Sequence, residues 1–262
     1  MRAFTAVCLT GVSLAATALI AGCPGAPPTT IPASNSPLGV SVIGLTQMKN
    51  DGTTYNSIAV NWRGIPSGTS QVDLNRSMDA GSSTRIRTAT PTETTYTDRD
   101  VLQGKSYQYS VTPFDAKGAR LVEPTRSETI RLASASDIPA SSLTSPANNA
   151  FVSRSDEVRF AWQPVTSADY YWIQVRETGA DSTKLTYSAL TKDASIALGT
   201  RSTVVVPASL SGTLPTANEG VQNGKVYSVM VTTLKTDPPG GDLATLKSLA
   251  MRDSASQTFG VN

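Results

Sequence analysis

The chain of 262 residues contains no histidine. That absence removes the side chain most used as a general base at neutral pH, the usual partner of a serine or cysteine nucleophile, and the commonest zinc ligand. A serine nucleophile would need a base such as lysine, and Ser-x-x-Lys occurs nowhere in the chain. Cysteine is almost as scarce. Cys8 and Cys23 both fall in the first 23 residues, so nothing is left to form a disulfide or thiolate cluster in a folded region beyond them. Charge has no bias, with 22 Lys+Arg against 20 Asp+Glu, and no run of five basic residues offers nucleic acid an electrostatic footprint. The expectation is a non-enzymatic protein without a cofactor and without a nucleic-acid partner.

What remains is globular in character. Hydrophobic residues make up 39% and charged residues 16%, enough for one large or two small domains and too polar for a multispan membrane protein. Arg2 precedes AFTAVCLTGVSLAATALIAG, an apolar and small-residue run with the layout of an export signal. A cleaved secretory signal or a single-span anchor would share that layout, although Thr10, Gly11, Ser13 and Thr17 weaken a stable span. Neither explains why the run ends in Ile20-Ala21-Gly22-Cys23.

That tetrapeptide resembles the lipobox of bacterial lipoproteins. The resemblance implies a signal peptide over residues 1–22 and diacylation of the Cys23 sulfur, with Cys23 as the mature N-terminus. Each buried methylene of an acyl chain contributes roughly 0.8 kcal/mol, and two chains hold where one is marginal. The expected partner at this end is therefore a membrane, reached through a lipid anchor. Pro24 stands where the family's inner-membrane proteins tend to carry aspartate, which implies a cell-envelope location at the outer membrane or cell surface. The stretch 24–37, PGAPPTTIPASNSP, has five prolines and no charge, so residues 23–36 are expected to act as a lipidated, semi-rigid stalk.

Beyond the stalk the chain repeats an order of marks. Ser57-Ile58-Ala59-Val60-Asn61-Trp62 and Glu157-Val158-Arg159-Phe160-Ala161-Trp162 each alternate so that every second apolar residue shares one strand face. Gly104-Lys105-Ser106-Tyr107 and Gly224-Lys225-Val226-Tyr227 then open a second alternating strand in each half. Short runs rich in Val, Thr, Ile and Tyr lie at 40–45, 71–75, 129–132, 171–175 and 203–206, separated by Gly, Pro, Asn, Asp and Ser clusters, and no helical period persists. The pattern predicts an all-β protein.

The tryptophan strand, the stretch Leu102-Gln103-Gly104-Lys105-Ser106-Tyr107, and the turn at 114–118 resemble a fibronectin type III domain; Val221-Gln222-Asn223-Gly224-Lys225-Val226-Tyr227 is similar in the second unit. The resemblance implies two tandem immunoglobulin-like (fibronectin type III) β-sandwiches at 37–133 and 143–262 with a linker at 134–142, each with a tyrosine whose hydroxyl bonds back to the main chain. It also implies binding rather than catalysis. Trp62 to Tyr107 spans 45 residues and Trp162 to Tyr227 spans 65, so the second unit carries about 20 more, placed at 179–199 and 209–220, with further loop length at 238–241. Such loops are either binding elements or tolerated surface insertions.

Two features remain as candidate sites. The carboxylates Asp98, Asp100, Asp156 and Glu157 offer too few spaced donors for calcium and read as solvated loops. In Tyr170-Tyr171-Trp172-Ile173-Gln174-Val175, alternation that sends Tyr171, Ile173 and Val175 inward puts Tyr170 and Trp172 on the outer face. There they either stack on a sugar or anchor a protein partner, or pack beneath the inserted loops or the first domain. The functional expectation is a membrane-anchored lipoprotein with a binding, adhesion or scaffold role toward an envelope protein or glycan; a carbohydrate-binding module and an accessory subunit of a secretion, pilus or surface-layer assembly are the alternatives.

Overall fold

The structure, a computed structural model, describes residues 37–262 apart from 154–156, 180–183, 203 and 207–209. The signal, Cys23 and the stalk at 23–36 therefore lie outside the described residues, as does Asp156. No helix among the described residues is long and apolar enough to cross a membrane.

Eight strands build the first sandwich: β1 (Gly39–Met48), β2 (Thr54–Arg63), β3 (Gln71–Met78), β4 (Thr84–Ala89), β5 (Thr95–Asp98), β6 (Ser106–Phe114), β7 (Thr125–Arg126) and β8 (Ile130–Arg131). One sheet is ordered β1-β2-β5, the other β4-β3-β6 with β7 and β8 both on the free side of β6. Period-two alternation does the rest. Ile58, Val60 and Trp62 from one sheet meet Val72, Leu74, Tyr107, Tyr109 and Val111 from the other in a closed core.

Ten strands follow: β9 (Leu143–Ser145), β10 (Ala150–Val152), β11 (Arg159–Trp162), β12 (Tyr170–Glu177), β13 (Leu185–Thr191), β14 (Ser195–Ala197), β15 (Ala217–Asn218), β16 (Val226–Asp237), β17 (Ser248–Asp253) and β18 (Gln257–Val261). The sheet β14-β11-β9 faces β15-β13-β12-β16, with β17 and β18 laid end to end along β16 and β10 parallel to β18. Phe160, Trp162, Tyr171, Ile173, Tyr187, Tyr227 and Phe259 fill the space between. Both tyrosine corners are present. The Leu102 N–H donates to the Tyr107 hydroxyl at 2.7 Å and the Gln222 N–H to the Tyr227 hydroxyl at 2.8 Å, five residues upstream in each case.

The two sandwiches share a sheet. β1 pairs with its neighbour β2 on one side and, in parallel, with β17 on the other, in the register Gly44↔Ser248 to Met48↔Arg252. The order β15-β13-β12-β16-β17-β1-β2-β5 is thus continuous across both halves. Side chains of β17 are buried on both faces. On one, Leu249 and Met251 join Tyr170, Trp172, Leu190, Leu210, Leu214, Leu234, Leu243 and Leu246, with Ile43 and Leu45 of β1 packed against them. On the other, Gly44 lies beneath Ile130 and Leu132, the Ala133 N–H donates to Ser248 Oγ at 3.4 Å, and the linker buries Ala135 and Ile138. Cross-links at the edges include Gln47 Nε2 donating to Asp253 at 3.1 Å and the Lys247–Glu128 ion pair at 2.7 Å.

One predicted strand is absent. Of residues 203–206, Val204 and Val206 pack on the junction cluster while Val205 is 82% exposed, and none of the three pairs with a strand. Their alternation serves to cover a face, not to extend a sheet.

A side chain at Gly44 would place its Cβ 2.7 Å from Leu132 Cδ2 and 2.9 Å from Ile130 Cδ1, whereas at Gly260 it would meet only the ring of the 69% exposed Phe151. Gly44→Val is therefore expected to destabilise the protein by about 1–3 kcal/mol through overpacking. Gly260→Ala should cost less than ~1 kcal/mol because the ring can swing into solvent. Urea titrations of the two variants check the difference.

Candidate functional site

The alternation read for β12 is present, and of its two stated outcomes the structure shows the second, packing beneath the inserted loops and the first sandwich. Tyr171, Ile173 and Val175 enter the core between the sheets, and Tyr170 and Trp172 do point to the outer face. That face is covered, and each is only 4% exposed. Tyr170 and Trp172 are therefore not a ligand platform in this fold. The Tyr170 hydroxyl donates to Gly241 O at 3.0 Å, and neighbouring Asp169 accepts from the N–H of Thr236 at 2.7 Å and of Gly240 at 2.8 Å, so the start of β12 fastens the β16–β17 hairpin. Cover comes from the segment between β14 and β15, through Val204, Val206, Leu210 and Leu214, and from the β16–β17 hairpin, through Leu243 and Leu246.

The carboxylates also differ from expectation. Asp98 is buried at 2% exposure, not solvated. It accepts from Arg76 Nη1 at 2.9 Å and from the Tyr109 hydroxyl at 2.8 Å, bridging the two sheets of the first sandwich. Desolvation, reinforced by the Asp98 charge, pushes the Tyr109 hydroxyl far above its ordinary pKa, so it stays protonated and serves as a donor. Asp100 remains exposed on the same arginine, and exposed Glu157 pairs with Arg159 at 3.5 Å. Asp253, at the junction, is held above the usual carboxylate range by burial, against the lowering effect of its bonds from Thr232 and Gln47. Among the described residues no three His, Cys, Asp or Glu side chains gather closely enough to hold a metal.

A cavity of about 610 Å³ lies on the outer face of β4-β3-β6-β7 in the first sandwich. Its floor consists of directly opposed cross-strand pairs: Asp73 with Thr112, Asn75 with Ser110, and Ser77 with Gln108. Asp73 is saturated by Arg85 Nη1 at 3.0 Å, Gln71 Nε2 at 2.9 Å and Thr88 Oγ1 at 3.1 Å. One rung runs Arg85, Asn75, Ser110, Arg126 across four strands. At ~4.8 Å between strands its ends stand about 14 Å apart. Among the described residues, the side chains of Asn75, Ser110 and Arg126 have no hydrogen-bond or ion-pair partner. One rim is the turn at Asp79 and Ala80, both left-handed at φ 49° and 60°, pinned where Asp79 accepts from the Ser106 N–H at 3.0 Å and from Lys105 at 2.8 Å. Polar residues at every second position of β3 and β6, opposite Val72, Leu74, Tyr109 and Val111, are the one sequence signal that marks this face.

The strand order of each half is that of a fibronectin type III-like sandwich, and the chain is an all-β protein of two such sandwiches joined edge to edge. It is similar to an Fn3-like protein from Clostridium thermocellum, at 23% identity over 34% of this chain and 88% of that one, with a TM-score of 0.24. A two-domain fibronectin type III segment of chicken tenascin is similar at 11% identity over 78% and 90% of the respective chains, TM-score 0.26. A chain of a cytokine receptor complex is similar at 12% identity over 84% and 95%, TM-score 0.32. No protein-family model matches the chain. No curated protein matches it either.

Since Trp172 is a structural residue, Trp172→Ala should empty the junction cluster and destabilise the protein by about 3–5 kcal/mol. Thermal and urea unfolding check this; an unchanged midpoint would mean the indole is not part of the packed junction.

Proposed function

We propose that the protein is a lipid-anchored component of the bacterial cell envelope with a non-catalytic binding or scaffold role. In this reading Cys23 is acylated, the proline-rich stretch spaces the folded part from the lipid, and the fused sandwiches present the open face of the first one to an envelope component. The observation that carries the binding role is the polar groove over β3 and β6, in which Asn75, Ser110 and Arg126 have hydrogen-bonding capacity that no other described residue uses. Fusion through β1 and β17 supports a scaffold role, because a rigid pair loses less freedom on binding than two tethered domains.

A second reading, an accessory subunit of a larger envelope assembly, draws on the opposite end of the shared strands. There Phe151 and Val226, 69% and 43% exposed, flank Gly260 as a small apolar patch suited to a protein contact. Because β1 runs parallel to β17, Gly39 and this patch lie toward opposite ends of the strand run.

The experiment is mass spectrometry of the N-terminal peptide of the protein extracted from membranes, with crosslinked partners analysed in the same sample. A diacylated peptide beginning at Cys23 is expected. An unmodified Cys23 contradicts the anchor, and a stoichiometric crosslink through the Phe151 face selects the assembly subunit over the groove.

A further inference from the structure

The geometry points to an acidic glycan, a chain of uronic acid residues, as the ligand of the groove on the first sandwich. This rests on the binding role proposed above. The rung Arg85, Asn75, Ser110, Arg126 sets a carboxamide and a hydroxyl between two guanidinium groups. Carboxamides and hydroxyls both donate and accept, which matches the ring hydroxyls of a sugar; a guanidinium offers the planar fork that takes a carboxylate through two parallel bonds. Arg85 is already engaged by Asp73, but Arg126 has no carboxylate of its own among the described residues, so a ligand carboxylate would meet an uncompensated cation. Thr112 and Gln108 extend the polar floor along β6 beyond this rung.

A peptide fits less well. The groove is floored by side chains on a sheet face and not by a free strand edge, so it offers no main-chain ladder for an added strand, and polar cross-strand pairs dominate the floor even though Phe114 and Pro124 also line the groove. A volume of about 610 Å³ falls in the range of small-ligand sites and admits a few sugar rings.

The test is isothermal titration of the full chain, in detergent, with an alginate hexasaccharide, the same oligosaccharide after carboxyl reduction, and hexaglutamate. Saturable binding of the uronate is expected, weakened at least tenfold by carboxyl reduction, by Arg126→Gln, and by Ser110→Asp, which sets a carboxylate in the rung. Lys225→Gln, whose Lys225–Glu177 ion pair belongs to the second sandwich, should leave the affinity unchanged. The inference is overturned if the uronate gives no saturable binding, if the reduced sugar binds equally, if neither groove variant weakens binding, or if hexaglutamate binds as tightly as the sugar. The acylation state of Cys23 has no bearing on these titrations, so loss of the anchor and loss of the glycan site are separate results.

Discussion

Parallel pairing of β1 with β17 is the constraint on which the rest of the molecule depends. The two strands lie about 200 residues apart in sequence, and no local turn sets their register. Side-chain fit sets it instead. Gly44, whose missing Cβ admits Leu132 and Ile130, sits opposite Ser248, and Leu45 sits opposite Leu249 on the face that joins the junction cluster. A shift of one residue would send Ile43 and Leu45 to the wrong side and drive Gly44 out of the one place where its lack of a side chain is needed. Burial of β17 on both faces follows, as is usual for strands in parallel pairing.

That junction decides which surfaces are free. The second sandwich gives the outer face of its larger sheet to the cluster around Trp172, and the first sandwich gives its β1-β2-β5 sheet to the shared edge. The face of β4-β3-β6-β7 is not consumed, and it carries the polar groove. The geometry of the groove is in turn maintained from below by the Asp98, Arg76 and Tyr109 network, which ties β5 to β3 and β6 inside the first sandwich. A buried charge set of this kind contributes little net stability but is costly to break, so it holds one arrangement of the sheets against others.

Much of the architecture was legible in the chain because each sandwich satisfies its own local rules. Period-two alternation in 57–62 and 106–111 marked both layers of the first core, and the glycine turn before Tyr107 and Tyr227 marked both tyrosine corners. The junction was not legible for a physical reason: alternation reports which residues share a face, not whether another part of the chain covers that face. Tyr170 and Trp172 look the same in sequence whether they meet solvent or Leu249. Likewise Asp98 reads as a loop carboxylate until the fold brings Arg76 and Tyr109 to it, and the groove residues Asn75, Ser110 and Arg126 carry no motif because their significance comes from cross-strand register alone.

Differential scanning calorimetry of the full chain tests the shared-sheet junction most directly. If β1 and β17 weld the sandwiches into one cooperative unit, the chain unfolds in a single transition whose calorimetric and van't Hoff enthalpies agree. Two resolved transitions, each with the enthalpy of about one sandwich, would contradict it and return the molecule to two domains on a linker.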